Sequence, residues 1–519
     1  MVQKMLMLLG LLLSAALVFG AGQTDSTSEA DSDEVITISI ATIRRAPPEP
    51  NAPVLTAVEE ELGVRFEYVN LERNNYNEML GLQISAGEVP DLFLLDGNLL
   101  QYQQFVRQGV LAPFDMDMMR EVAPTVASLQ EPHWPFLTID GEVYALQTEK
   151  RSNRYPLNAI WRDDWLENVG IDSIPTTLAE AEEAFYAFAN DDPDGNGRDD
   201  TYGLGLSGLD MIFGAVAGGH PWGPWPQYWQ WVERDGSLTY SAVLPEMRDA
   251  LELLARWYAD GVLHPEYVLG ENRGGDWAIP HDFLNDRIGF TGLAHVQHWQ
   301  RPMFDGDPGG RVYREFVAAN PDASFAFGPA VEGPEGYAGT WKYSEAVGAS
   351  GMWVMGSHVD EETMRRIFEI SERLATDYDF YLRAARGFEG EHWQINEESG
   401  SVQFIGDATD VNERDRLGIG LFTPGNPEYE TLMQPLRFEF SEEYATQPGI
   451  ENELYTALPS EGTYRGDLET LRDRYFTDII TGRRPVDDFD EFVDEFYRLG
   501  GQVLTDEAND WYQQVSASR

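Results

Sequence analysis

Cysteine is absent from the 519 residues. Without thiols the chain has no disulfide framework, no thiolate metal site, no cysteine nucleophile and no cysteine to carry an N-terminal lipid. Lysine is nearly absent as well. Lys4, Lys150 and Lys342 are the whole set, so almost all of the 36 basic residues are arginine. They face 89 Asp and Glu, for a formal net charge of −53. A surface so negative repels phosphate backbones and anionic membranes, which excludes nucleic acid as a partner. It suits a protein working outside the cytoplasm in salty or alkaline water, where screening tolerates self-repulsion. No uncharged apolar run reaches the ~20 residues of a membrane span. There is no Walker loop, no dinucleotide glycine fingerprint and no G-x-S-x-G elbow. His295 and His298 stand three apart, but no carboxylate completes a zinc set at motif spacing. Carboxylate pairs are too common in so acidic a chain for counting to indicate or remove a glycosidase dyad.

What is present is a globular composition, 42% apolar and 24% charged, with length for about three domains at ~150 residues each. Lys4 precedes an uncharged apolar run from Met5 to Phe19, followed by Gly20 and Ala21. That is the layout of a secretory signal peptide, 1–21, leaving a secreted mature chain in the periplasm or cell exterior with no lipid anchor expected. Residues 22–34 are small, polar and acidic, and read as a disordered linker.

Val35–Ala41 alternates and is β-branched, so it reads as a strand; Val64–Val69 and Leu92–Leu95 read likewise. Helices are expected over Pro53–Leu62, ended by Gly63, and over 76–86, stopped by Gly87. Strand, helix, strand, helix, strand at this spacing indicates a parallel sheet with helical crossovers. Further on, Thr177 and Glu180 form a capping box, Asp235-Gly236 is a hairpin turn, and Phe489, Phe492, Val493 and Phe496 share one helix face.

Two local features point to chemistry. In Asp192–Gly203 (DPDGNGRDDTYG), Asp192, Asp194 and Asn196 occupy positions 1, 3 and 5 of a calcium loop. Gly197 is at position 6, the Arg198 carbonyl at 7 and Asp200 at 9. That is the oxygen layout of an EF-hand-type site for a structural Ca2+, although position 12 is Gly203 where an acid is usual. The bland alternative is an acidic turn without metal. The second feature is HPWGPWPQYWQW, 220–231, in which Trp222, Trp225, Tyr228, Trp229 and Trp231 crowd a Gly/Pro-rich stretch. Flat rings with a polar edge suit the C–H faces of sugars; about half of them are expected to be core, since Trp is highly buried on average. Trp299, Trp341 and Trp393 are further ring candidates, beside Trp277 and Tyr343.

Six segments in order resemble the extracellular solute-binding proteins of family 1 that serve ABC importers, in particular the large oligosaccharide- and alginate-binding kind. They are Ser85–Asp91 (SAGEVPD), Trp161–Leu166 (WRDDWL), Asp192–Gly203, Tyr258–Glu266 (YADGVLHPE), Gly387–Trp393 (GFEGEHW) and Ile479–Gly482 with the helix after it. The resemblance implies a periplasmic-binding-protein-like α/β fold, two α/β lobes with a ligand cleft and hinge. Lobe one is expected at 35–155 and 285–345, and lobe two at 156–284 and 346–519. Cleft residues would be Arg44, Arg45, Asp96 and Asn98 from lobe one and the 222–231 rings from lobe two.

The reading this favours is a monomeric binding protein, not an enzyme, that delivers a saccharide to ABC permease subunits. A secreted carbohydrate-active enzyme would share the aromatics, carboxylates and export signal. The same fold with a peptide ligand or a chemosensory output stays open, because loops and not folds set the ligand.

Overall fold

The strand Ile36–Ala41 pairs in parallel with Val64–Tyr68 on one side and Leu92–Leu95 on the other. Alternation decides which side chain goes to which face. Ile38, Ile40 and Leu92 enter one core, while Ala41, Phe93 and Leu95 enter the core on the opposite face. The computed structural model of the chain describes residues 35–96, 99–148, 155–222, 229–269, 279–342, 351–445 and 447–516. The expected signal peptide and acidic linker lie outside these residues. Pro53–Leu62 ends as expected, with Gly63 left-handed at φ 65° and its N–H bonded to Glu59 O.

The first sheet is completed by Met352–Met355, antiparallel to Leu92–Leu95, and then by Ala145–Gln147. Its strand order is Val64–Tyr68, Ile36–Ala41, Leu92–Leu95, Met352–Met355, Ala145–Gln147. The helices Glu361–Thr376 and Tyr378–Arg386 pack their Ile367, Phe368 and Phe380 on one face of it.

A second sheet runs Ala326–Gly328, Ala159–Trp161, Ile288–Thr291, Tyr202–Leu204. Trp161 centres its core, stacked on Phe185 with 5.3 Å between centroids and 12° between planes, and 4.6 Å from Phe290. Phe185 stands on Leu178–Asn190, the helix opened by the Thr177–Glu180 capping box. Asp235 and Gly236, with φ of 52° and 81°, turn the hairpin Trp231–Arg234 to Ser237–Tyr240. The C-terminal helices Glu461–Ile480, Asp488–Phe496 and Gln502–Ser516 belong to this second lobe, and Phe489, Phe492 and Phe496 are buried there.

The lobe boundaries differ from the expected ones. Ile288–Thr291 and Ala326–Gly328 pair within the second sheet, so 285–345 stays in lobe two. Met352–Met355 pairs within the first sheet, so the chain returns to lobe one there, the reverse of the expected order. Both segments are short apolar strands, and only their pairing partners tell them apart. Among the described residues the chain changes lobe after Gln147, after Trp341, and between Met433, packed on Leu382, and Phe438, packed beside Val296. The lobes also touch where Gln103 Nε2 donates to Thr456 Oγ1 at 2.7 Å and the Phe136 and Tyr455 rings meet at 5.0 Å.

Gly203 sets how closely Leu178–Asn190 lies on the second sheet. A Cβ there would stand 2.6 Å from Phe185 Cβ and 3.0 Å from its Cα. Gly203→Ala is therefore expected to destabilise the fold by ~1–3 kcal/mol through overpacking, read as a lower midpoint in urea unfolding.

Candidate functional site

Parallel α/β sheets present ligands at the carboxyl ends of their strands. In lobe two, Tyr202–Leu204 and Ile288–Thr291 are parallel and end side by side. The Ser207 and Thr291 hydroxyls meet there at 2.8 Å, and Gly292 N donates to Ser207 O at 3.1 Å. Asn158, just before Ala159–Trp161, donates from Nδ2 to Ala294 O at 2.6 Å. Asp210 begins the apolar helix Leu209–Ala217, and its Oδ2 accepts from Trp341 N at 3.3 Å. Part of Asp210 reaches the surface, but its Oδ1 is enclosed and has no hydrogen-bond partner among the described residues, as is true of Asn158 Oδ1. Burial pushes the Asp210 carboxyl up to about 7, against the pull of backbone amides at Trp341 and Met211. His220 is fully enclosed nearby, its ring 6.0 Å from that of Trp341. Burial pushes its imidazole down to about 4, so it is neutral at pH 7. None of Asn158, Asp210 and His220 stood out in the sequence. The available signal was Asp210, the one charge in LDMIFGAVA.

The lobe-one candidates divide. Arg44 is buried and engaged within its own lobe, its Nη2 3.1 Å from Asp415 and 2.8 Å from Ile419 O. Burial lowers its guanidinium from the usual range and the Asp415 charge raises it. It is a clamp between the loop after Ile36–Ala41 and Val411–Arg416, not an open ligand group. Arg45 and Asp96 are exposed beyond the ends of their strands, and Asn98 lies outside the described residues. A cavity of about 200 Å³ opens where the chain leaves lobe one, walled in part by Gln147, Thr148, Tyr381, Asn426 and Glu430.

The aromatic expectation needs correction. Trp229 is buried, stacked on Tyr240 at 4.4 Å, with Nε1 bonded to Glu469 at 2.9 Å. Trp222 is half-buried between Phe213 and Phe476. Trp299 is 0% exposed in a closed cluster with Phe283 and Phe325. Trp393 is buried with Leu382 and Met433, its Nε1 donating to Gly387 O at 2.9 Å. Trp229, Trp299 and Trp393 are core rings, and Trp222 packs against the core between two helices. Trp341 is also buried, its backbone N–H donating to Asp210 Oδ2. Trp225 and Tyr228, like Trp277 and Tyr343, lie outside the described residues.

In the acidic loop, Gly197 N donates to both Asp192 oxygens at 3.2 and 3.0 Å. Asn196 Nδ2 donates to Asp194 at 2.6 Å and to Asp200 at 3.1 Å, and Asn196 Oδ1 accepts from Arg198 N at 2.8 Å. Burial and then the nearby Asp192 and Asp200 charges push the Asp194 carboxyl up, opposed by the Asn196 amide. Among the described residues no group of three or more His, Asp or Glu is arranged to hold a metal ion. Position 12 is glycine because it falls in the strand Tyr202–Leu204, pressed on Phe185 with no room for a side chain. The Thr201 hydroxyl donates to Phe188 O at 2.8 Å.

The Asp210 carboxyl supplies a pH test. A folded-state value near 7 means the unfolded chain loses this proton first, so ionising Asp210 costs stability as pH rises from ~4 to about 7. Asp210→Asn is expected to raise the melting temperature at pH 8 and to change it little at pH 4; a gain equal at both would show an ordinary carboxylate.

No family model matches the chain. In sequence it is 22% identical over 526 residues to lipoprotein LipO of Bacillus subtilis (strain 168), covering 96% of this chain and 97% of that protein. It is also 22% identical over 510 residues to the polygalacturonan/rhamnogalacturonan-binding protein YtcQ of the same strain, covering 96% and 95%. In structure it superposes on the Streptococcus pneumoniae ABC-transporter substrate-binding protein FusA in complex with kestose. The TM-score is 0.65 at 16% identity, covering 94% of this chain and 100% of that one; an EF-hand mutant of FusA matches similarly, at 0.64. The alginate-binding protein AlgQ2, solved without calcium ion, gives 0.64 at 17% identity and 93% and 99% coverage. Among the described residues no helix is long and apolar enough to cross a membrane. The chain thus carries the periplasmic-binding-protein fold and is similar, over nearly its whole length, to the solute-binding proteins of ABC transporters.

Proposed function

We propose that the mature chain is exported, unlipidated and monomeric, and that it captures an oligosaccharide between its lobes and delivers it to an ABC permease. The observation that carries this reading is the pair of sheets joined by crossing segments, with polar groups at the strand ends. Sugar hydroxyls are donors, and Asp210, part of which reaches the surface, carries a carboxylate acceptor at these strand ends. A ligand that touches both lobes favours the closed arrangement by its differential affinity, and the permease reads that arrangement. No bond is made or broken. The saccharides named for FusA, YtcQ and AlgQ2 support the ligand class.

We further propose that Asp192, Asp194, Asn196, the Arg198 carbonyl and Asp200 hold a structural Ca2+. The support is a donor set made only of oxygens, carboxylates drawn together around one amide nitrogen, and the EF-hand named for FusA. The ion would pin the loop before Tyr202–Leu204 and supply no catalytic water.

Two measurements check these readings. A panel of neutral and acidic oligosaccharides is expected to raise the melting temperature and change tryptophan fluorescence, with chain length unchanged on chromatography; shortened products would indicate an enzyme instead. Chelation is expected to lower the melting temperature, added Ca2+ to restore it, and Asp194→Ala to abolish the response. At 100 times Kd the ion would contribute ~2.7 kcal/mol.

A further inference from the structure

In a chain with so many carboxylates, the most deeply enclosed arginines find one, while among the described residues half-buried Arg234 and Arg287 stand apart from any carboxylate as single residues. Arg162 holds Asp164 and Asp286, Arg465 holds Glu461 and Glu469, and Arg472 holds Asp473. Three arginines near the crossing between Met433 and Phe438 do not. Arg386 ends the helix Tyr378–Arg386, Arg414 lies on Val411–Arg416, and Arg437 lies on Pro435–Tyr444. Each is half-buried, and none has an ion pair among the described residues. Arg386 Nη1 donates to Ala385 O at 3.0 Å, and Arg437 Nη1 to Gln434 Oε1 at 2.6 Å.

The three come from different elements; Arg386 and Arg414 meet at one ring, and Arg437 lies within electrostatic reach of Arg386. Arg386 and Arg414 share the Phe404 ring, with guanidinium carbons 5.1 and 4.3 Å from its centroid. Arg386 and Arg414 belong to lobe one. Arg437 rides on the helix whose Phe438 and Phe440 pack beside Val296 in lobe two. The cavity of about 200 Å³ walled by Tyr381 and Glu430 adjoins them, since both residues act electrostatically on Arg386. The nearby acids are otherwise engaged or held off: Asp415 pairs with Arg44, Asp410 caps its own helix, and Glu430 is not in ion-pair contact with Arg386 or Arg437. Arg45, exposed beyond the end of the first strand, adds a fourth positive charge beside Arg414.

Burial is the main influence lowering all three guanidinium groups, and the Arg386 charge further lowers Arg414 and Arg437. Like charges half-removed from water are unfavourable without a counter-ion. A planar guanidinium fork matches a carboxylate in bidentate fashion, and Phe404 covers the apolar faces of two of them.

We propose that Arg386, Arg414 and Arg437, with Arg45, bind the carboxylates of a uronate-containing oligosaccharide, and that this anion draws the two lobes together. The inference rests on the saccharide reading above and names the ligand's charge. The anion offsets repulsion that otherwise acts across the lobe boundary, so binding and closure are coupled.

The test is calorimetry on the full chain with an oligogalacturonate, its methyl ester and inorganic sulfate. The acid form is expected to bind at least roughly tenfold more tightly than the ester, and to weaken with added salt while the ester does not. Arg414→Gln and Arg386→Gln are each expected to weaken the acid form about tenfold and leave the ester within about twofold. Arg45→Gln, at an exposed position, should weaken it in the same direction if either of those variants fails to fold. Arg498→Gln, an equal charge change on a distant surface helix, should leave both affinities unchanged. Equal binding of acid and ester would overturn this inference and leave the saccharide reading standing. Sulfate binding as tightly as the acid form would make the cluster a free-anion site and overturn it too. No binding of any saccharide would remove both.

Discussion

Both central sheets are covered on both faces, and this constraint governs where chemistry can occur. Ile38, Ile40 and Leu92 point into one core, Ala41, Phe93 and Leu95 into another. In the second sheet Trp161 and Phe290 lie in one core while Ile160 lies in another. Sheets buried this way leave polar groups only at strand ends and in crossings, because an unpaired polar group elsewhere would lose its hydrogen bonds. Asp210, Asn158, Ser207 and Thr291 collect at one such end, and Arg386, Arg414 and Arg437 at a crossing.

Charge is the second constraint. A net charge of −53 makes arginine the scarce partner. Most surface arginines are held by carboxylates, as Arg373 and Arg383 both are by Glu61. Such exposed pairs contribute little to stability individually. Their weight lies in what they leave over: a group of half-buried arginines without an ion pair among the described residues stands out in a chain this acidic.

Much of the local structure was legible in the residues. Val35–Ala41 alternates, Gly63 ends a helix, Thr177 and Glu180 cap one, and Asp235-Gly236 turns a hairpin, all by short-range rules. The fold followed from six motifs in order. The candidate site was far less legible. The indole-rich stretch reads as a sugar platform by composition, yet Trp229 fills the gap between the hairpin and the C-terminal helices, and Trp222 packs between Phe213 and Phe476. Burial of a ring depends on what packs over it, and those helices are more than two hundred residues away. Arg44 looked like an open cation and is clamped by Asp415, a partner at a separation no local pattern reveals.

Sequence alone determined the acidic, thiol-free character, the strand and helix positions, and the oxygen-rich loop at Asp192–Asp200, since each depends on neighbouring residues. Tertiary structure decided which sheet each late strand joined. Ile288–Thr291 and Met352–Met355 are four-residue apolar runs with the same intrinsic preference, and only hydrogen-bonding partners assign one to each lobe. It also decided that Gly203 replaces the usual loop acid, because Phe185 occupies the space a side chain would need. The polar group around Asp210 and the arginine cluster arose the same way, from groups distant in the chain that packing brings within reach.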